Sequence, residues 1–250
     1  MKSIESALID CKKVIDTMPI NEMIVELSAI MKKHSFEDFR ISDERLTSKT
    51  LLNAGRMTNF IYKVTGLNPN LLPKINTIET DHKVKDRMKA ITDNGGELVF
   101  ESMENSIFAD NLTMIDSQMP VVIAQMLIGF YSEIANNCAA LTKYVNRINP
   151  LSCNENFYRH KVKELLFAIA LCMTSANPWN GIYDAFSGYI IVKTNGDILA
   201  YHLYNRNDFK NYLLNNTKLE RGSTNMNDYG IMYEADNKIK IKLNLQIKFI

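Results

Sequence analysis

The sequence has few residues that break or cross-link a chain: 10 glycines, 6 prolines and 4 cysteines in 250 residues. It also lacks the run of about eighteen apolar residues that a membrane-spanning helix needs, and charged residues interrupt the N-terminal stretch where a secretory core would lie. A hydrophobic fraction of 46% still fills a sizeable core, so an ordered globular chain is expected. These features predict a cytoplasmic protein that does not bind a membrane.

Sequence motifs for zinc binding, nucleophilic catalysis and phosphate cradling are absent as well. The cysteines form no CxxC pair and are interpreted as small core residues, because a reduced compartment disfavours disulfides. The 4 histidines are scattered, and no glycine-rich loop is present. With 29 basic and 28 acidic residues, the chain has a net charge near zero, so any polyanion must be recognised by a local patch.

Hydrophobic spacing predicts an α+β protein, helical in its N-terminal and middle regions, with a mixed or antiparallel sheet near the C-terminus. The expected strands are short in the first half of the chain, at Phe39-Arg40-Ile41 and Leu98-Val99-Phe100. Helices are expected over 3–33 with a break at Thr17-Met18-Pro19, around Phe60, Ile61 and Val64, and over 81–92, 116–130, 139–147, 157–173 and 208–215.

The last third of the chain carries the clearest strand signals. Tyr189-Ile190-Ile191-Val192 and Ile198-Leu199-Ala200-Tyr201 flank Asn195-Gly196, a dipeptide typical of a type I′ hairpin turn. Over 239–249 apolar residues alternate with polar ones, which predicts one long strand with a single buried face. Its other face would carry lysines, among them Lys240 and Lys242. Such a row either tracks the phosphates of a nucleic acid or is a solvated face that resists edge aggregation.

Two other polar clusters are candidates for DNA contact. Asn205-Arg206-Asn207 places a guanidinium between two amides at a strand-to-helix junction, and these side chains read guanine and adenine directly. The alternative is that Asn207 caps a helix and Arg206 is a surface charge. The polar run 218–228, with Arg221, Ser223 and Thr224, is either a loop that contacts phosphates or an ordinary loop.

Nuclease chemistry is harder to place on the residues alone. Phosphodiester hydrolysis uses carboxylates that hold Mg²⁺ and a lysine that orients water, commonly as (D/E)xK on a strand. The chain has this spelling at Asp10-Cys11-Lys12, in a predicted helix, and at Asp236-Asn237-Lys238, in a predicted turn, and neither lies on a convincing strand. Four acidic residues flank the first short strand, and from the residues alone they are solvated loop charges: Glu37, Asp38, Asp43 and Glu44.

A longer series of segments resembles the HpaII-type restriction endonucleases, and the resemblance covers about four-fifths of the chain. Several long matches in the same order are more specific than any single motif. The matching segments are Thr50-Leu51-Leu52-Asn53-Ala54-Gly55, Thr58-Asn59-Phe60-Ile61-Tyr62-Lys63, Asn180-Gly181, Tyr183-Asp184-Ala185, Gly188-Tyr189-Ile190-Ile191-Val192-Lys193, Tyr201-His202, Tyr204-Asn205-Arg206-Asn207, Leu214-Asn215-Asn216-Thr217 and Lys242-Leu243-Asn244-Leu245-Gln246-Ile247.

The resemblance implies a restriction-endonuclease-like fold and Mg²⁺-dependent cleavage of double-stranded DNA at CCGG. It also implies a partner cytosine methyltransferase that protects the host, and a homodimer is an expected assembly. The DNA-binding residues that it implies, together with those chosen above, are Asn53, Arg56, Asn59, Asn205, Arg206, Asn207, Arg221, Ser223, Thr224, Lys240 and Lys242.

The catalytic segment departs from the family pattern. The family lysine follows a Phe-x-Ile strand, and here Phe39-Arg40-Ile41 is followed by Ser42. The segment upstream is shorter than in the family, so Asp38 is the remaining candidate for the metal-binding aspartate, with Asp43 and Glu44 as further catalytic candidates. A second departure is Met226, which stands where the family has an arginine at the end of a Pro-Ser-Thr-Ser-Arg run.

Two functions follow from this pattern. The first is a type II restriction endonuclease-like protein that binds and cleaves CCGG, and the second is a non-cleaving relative that binds DNA or acts as a regulatory partner. The chain is expected to form a single unit over 1–250, in which a degenerate nuclease part over 1–100 and a DNA-recognition part over 101–250 would be possible lobes.

Overall fold

A computed structural model describes residues 9–11, 13–14, 17, 26–27, 29–30, 39–43, 50–183, 188–193, 195, 197–202 and 205–250. For residues 39–43, 155, 188, 200 and 202 only the backbone is described. The described residues before position 31 are helical, as the spacing predicts. The expected break at Met18-Pro19 lies outside the described residues.

The strands are β1 (Phe39–Asp43), β2 (Thr50–Leu52), β3 (Asn59–Thr65), β4 (Glu97–Met103), β5 (Gly188–Val192), β6 (Ile198–His202), β7 (Thr217–Leu219), β8 (Met232–Ala235), β9 (Lys238–Asn244) and β10 (Ile247–Phe249). The helices are α1 (Leu72–Asn76), α2 (Lys83–Asp93), α3 (Ser106–Ile115), α4 (Met119–Tyr131), α5 (Cys138–Ile148), α6 (Glu155–Ala170), α7 (Arg206–Asn216) and α8 (Thr224–Asn227). Two short 3₁₀ helices span Arg56–Thr58 and Pro69–Leu71.

The described strands form three sheets, in the orders β4-β3-β9-β8, β2-β10-β7 and β1-β5-β6. Only the last is mixed, because β1 runs parallel to β5 while β5 and β6 form the expected antiparallel hairpin. The α+β prediction is therefore confirmed, including the first short strand. The turn of this hairpin lies around Asn195.

The prediction of a helix around residues 60–64 is wrong, because this segment is strand β3. Phe60, Tyr62 and Val64 are buried while Ile61 and Lys63 between them are half-buried, which is the two-residue period of a strand with one face on the core. The segment pairs with β4 on one side and β9 on the other. Its local spacing fits either a helix or a strand, so tertiary pairing determined its secondary structure.

The single long strand expected over 239–249 is divided into two. β9 ends at Asn244 and β10 begins at Ile247, and the two belong to different sheets. The apolar residues stay buried through Leu245, and Asn244 is buried as well, because the chain passes from one sheet to the next without leaving the core.

Helices α2 to α6 form the middle of the molecule and close one large hydrophobic core that extends from Leu52 to Phe249. α2, α4, α5 and α6 match the expected helices to within three residues at most ends, whereas the spacing did not predict α3, which Asn105 caps by accepting from the amide of Phe108 at 2.9 Å. A second small cluster joins Cys11 and Leu27 to Ile190 and Val192, so the N-terminal helical residues pack on the β5–β6 hairpin.

No single helix in the described part of the chain is long and apolar enough to cross a membrane. Helices α3 and α4 together pass this test by length and composition, but they are bent by 107° at the break between them. Most residues of α4 are buried in the core.

Candidate nucleic-acid interface

Two loops that the sequence places far apart pack directly against each other. One loop, residues 53–58, connects β2 to β3, and the other, residues 220–228, follows β7 and contains α8. A methyl group built on Gly222 would lie 2.6 Å from the β-carbon of Ala54, so only a glycine lets the loops approach this closely. The Tyr229 hydroxyl donates to the Gly222 carbonyl at 2.8 Å and anchors the second loop on the core.

A buried amide network holds the two loops in place. The side-chain amide of Asn244, at the end of β9, donates to the Gly55 carbonyl at 2.7 Å and to Asn59 Oδ1 at 2.7 Å. Asn59 in turn donates to Glu104 Oε2 at 2.7 Å and to the Asn227 carbonyl at 2.8 Å. Buried amides must be paired, so this network fixes both loops relative to the central sheet.

Asn59 is expected from the resemblance to contact DNA, but it is fully buried and its amide is engaged inside the protein. This arrangement does not present Asn59 to a ligand. Asn53 and Arg56, in the same loop, are exposed, as is Ser223 across the contact. The structure thus brings these three side chains to one surface and places Asn59 beneath them.

The sequence also predicts a solvated lysine face on the last strand, and this is wrong for its two central residues. Lys240 and Lys242 have side chains only 12% and 15% exposed. Lys240 pairs with Glu101 at 2.8 Å and Asp236 at 2.9 Å, and Lys242 pairs with Glu104 at 2.9 Å and Asp228 at 2.8 Å.

These ion pairs set the charge state of the surface below the loops. Hydrogen bonding by Lys242 is the main cause of the lowered pKa of Asp228, and the positive charge of Arg56 lowers this pKa further. Hydrogen bonds to Glu101 and Asp236 raise the pKa of Lys240. The acidic partners were missed from sequence because only the strand register reveals that β4 carboxylates reach the lysines of β9 across β3.

Arg221 lies at the edge of the second loop in a cluster of charged side chains. Its guanidinium donates to Glu133 at 2.8 Å, and the same carboxylate accepts from Lys85 and lies 2.7 Å from His82 Nδ1. Hydrogen bonds from Lys85 and Arg221 lower the pKa of Glu133 to about 2. A guanidinium has five N–H donors, so this bond leaves donors of Arg221 that can bind another acceptor.

The Asn205-Arg206-Asn207 cluster is exposed at the start of α7. Asn205 is the N-cap residue, so the alternative in which Asn207 caps the helix is wrong. The other end of α7, which as an 11-residue helix is about 16 Å long, leads into β7 and then the second loop.

The strand with the catalytic candidates belongs to the same sheet as the hairpin that leads to this cluster. In the backbone register of β1 with β5, Ser42 is opposite Ile191 and Asp43 is opposite Val192. Asp38 and Glu44 lie outside the described residues. Thr224 is half-buried in α8, and Met226, where the resemblance implies an arginine, is 80% exposed.

A magnesium ion needs several oxygen ligands, chiefly carboxylates. Within the described ranges no group of three Asp, Glu, His or Cys side chains is placed to hold a metal ion. The candidates for holding Mg²⁺, Asp38, Asp43 and Glu44, lie outside the described side chains.

The close approach at Gly222 is testable by two matched substitutions. Gly222→Ala should lower the free energy of unfolding by about 1–3 kcal/mol, because the added methyl overlaps Ala54 and the Asn227 side chain. Gly55→Ala is the control, since its backbone is extended and its nearest neighbour would be 4.0 Å away. Urea unfolding measures both; equal losses in the two variants would contradict the tight loop contact.

The charge cluster predicts a pH dependence of stability. The pKa of Glu133 falls from an ordinary 4.5 to about 2 on folding, so its stabilising effect is complete above about pH 5 and is lost as the pH falls toward 2. Glu133→Gln should therefore melt below the wild-type protein at pH 7, and the two melting temperatures should converge near pH 2. A difference that stays constant over this range would show that charge is not the cause.

Comparison with known proteins agrees with the resemblance noted in the sequence. The family model for the HpaII restriction endonuclease matches residues 11–249. The type II restriction enzyme HpaII of Haemophilus parainfluenzae is 38% identical over 216 residues, which is 85% of this chain and 60% of that enzyme. The chain thus spans about three-fifths of the length of this relative, and no solved structure matches it. The chain belongs to the HpaII restriction endonuclease family.

Proposed function

We propose that this chain binds double-stranded DNA at CCGG, in the manner of a type II restriction endonuclease. The observation that carries the proposal is the surface formed by the two loops, where Asn53, Arg56 and Ser223 are exposed above a buried amide network. Exposed amides, hydroxyls and guanidinium groups are the side chains that contact phosphates and bases. Family membership supports DNA as the ligand.

Different residues have different roles in this proposal. Arg206 and Asn207, exposed at the start of α7, read base edges, while Arg221 and Thr224 contact the backbone beside Ser223. Asn59 positions the first loop from below. Lys240 and Lys242 act through Glu101, Glu104 and Asp228, whose orientation they fix, and contact phosphates only where DNA displaces these carboxylates.

The assembly and the setting are part of the same proposal. CCGG reads the same on both strands, so a homodimer with twofold symmetry matches its two halves. Such a protein acts in the cytoplasm beside a cytosine methyltransferase that modifies the same sequence, because unprotected host DNA would be cut by an active enzyme.

Base reading by Arg206 is tested by Arg206→Ala. The variant should bind a CCGG duplex about 1–3 kcal/mol more weakly than the wild type does, and should lose much less affinity for a duplex of scrambled sequence, because a bidentate arginine discriminates guanine. Fluorescence anisotropy at fixed salt measures both affinities. Lys74→Ala, an exposed charge on α1, is the control. Equal losses on both duplexes would make Arg206 a phosphate contact.

Cleavage is a second, separable proposal. Ser42 lies on β1, and the resemblance implies a lysine at this position. A serine cannot supply the positive charge that orients the attacking water. We propose that the chain binds CCGG but hydrolyses it slowly for this reason. The position of Ser42 favours the non-cleaving relative over the active enzyme.

Ser42→Lys tests this step in the presence of Mg²⁺ and unmethylated CCGG duplex. We expect the substitution to raise the rate of strand cleavage by at least about a hundredfold, because a positioned group for proton transfer contributes that much. Adding Asp43→Asn to this variant should return the rate to its starting value. A wild-type protein that already cuts rapidly, with no gain from the lysine, would contradict the proposal.

A further inference from the structure

A groove of about 350 Å³ lies between α5, α6 and α7, away from the two loops. Its polar lining comes from all three helices, and a cation on each of two helices points into it. The polar residues are Thr142, Lys143, Asn146, Asn156, Arg159 and Asn215.

The lining of the groove suits an anion. It contains one ammonium, one guanidinium and three carboxamides, and none of its described lining residues is acidic. Lys143 and Arg159 are exposed, and neither forms an ion pair with a carboxylate in the part of the chain that the structure describes. In contrast, Lys240 and Lys242 each pair with two carboxylates.

Neighbouring side chains add to the positive charge. Arg147 lies one turn beyond Lys143 on α5 and is also exposed, and no described carboxylate pairs with it. On α6, Lys163 lies one turn beyond Arg159, and burial together with the charges of Arg159 and Lys210 lowers its pKa. In a chain whose net charge is only +1, these cations form a local patch.

The groove is close to the candidate nucleic-acid interface along the chain. Asn215, in its wall, precedes Arg221 by six residues, a distance of at most about 22 Å for an extended chain. A second cavity of about 410 Å³ adjoins Arg221 and is lined by Lys218 and Asn136 and by the carboxylates Glu133 and Glu220. Asn136 lies just before α5 and precedes Ala139, which lines the groove, by three residues.

We propose that this groove binds a backbone phosphate of the same duplex, in the DNA that flanks the recognition sequence. Arg159 and Lys143 make charge-assisted hydrogen bonds to the phosphate oxygens, and the asparagine amides donate to the oxygens that remain. At 3.4 Å for each base pair, a separation of at most about 22 Å corresponds to at most about six base pairs from Arg221. The inference rests on the proposed DNA binding and adds a contact outside CCGG.

The test compares Lys143→Ala/Arg159→Ala with the wild-type protein on two CCGG duplexes, with Ca²⁺ in place of Mg²⁺. One duplex is a hairpin of about 8 base pairs, too short to reach the groove, and the other has about 24 base pairs. Anisotropy titrations over a series of salt concentrations should show that the variant binds the long duplex about tenfold or more weakly than the wild type does. The slope of log K against log salt should fall by about 2, while the short duplex is bound as before.

Two further variants serve as controls. Lys74→Ala/Lys89→Ala removes the same charge from exposed positions on α1 and α2 and should leave both duplexes unaffected. Lys143→Arg/Arg159→Lys keeps the charge and should retain most of the affinity for the long duplex. Circular dichroism spectra check that each variant is folded.

The outcomes separate the two proposals. A wild-type protein that binds neither duplex overturns the proposed function and this inference with it. The groove is not a phosphate site if the variant binds the short duplex normally and loses no affinity for the long duplex. The same conclusion follows if the Lys74/Lys89 control loses as much affinity for the long duplex. Either outcome overturns only the groove and leaves the proposed function standing.

Discussion

The antiparallel pairing of β3 with β9 is the interaction on which the candidate interface depends. Its register places Asn59 opposite Asn244 at one end of the ladder, where their side chains hydrogen-bond at 2.7 Å. From this pair, hydrogen bonds extend to Gly55 in the first loop and to Asn227 in the second. A slip of one residue would turn the amide of one strand to the other face, away from its partner, and separate the loops. The interface is therefore a consequence of sheet register.

Internal ion pairing determines which cations remain for a ligand. The lysines of β9 are neutralised by β4 and by residues that flank β8 and β9, and Arg221 is held by Glu133. Within the described residues Arg56, Lys143, Arg159 and Arg206 form no ion pair with a carboxylate. A chain with almost no net charge can thus present separate positive sites, because its acids are placed beside some cations and away from others.

The elements predicted from sequence are those with strong local signals. The β5–β6 hairpin has a turn dipeptide between two apolar runs, α2 has helical spacing, and α5 and α6 have helical spacing with asparagine caps. β3 was mistaken for a helix because Phe60, Ile61 and Val64 also fit a helical face, and its partners lie far away in sequence. α3 was missed because its ten residues include Asp110, Asn111 and Thr113, which have low helix propensity.

For the site, the sequence alone determined which residue types could bind DNA, since a guanidinium or an exposed amide has the same donors in any fold. It also placed Ser42 at the family's lysine position on a short strand, and the strand is present. Only the tertiary structure decided that Asn59 and Asn244 lie beneath the surface and that the lysines of β9 are paired. The reason is physical: burial and ion pairing depend on residues more than a hundred positions apart, which meet only when the sheet has formed.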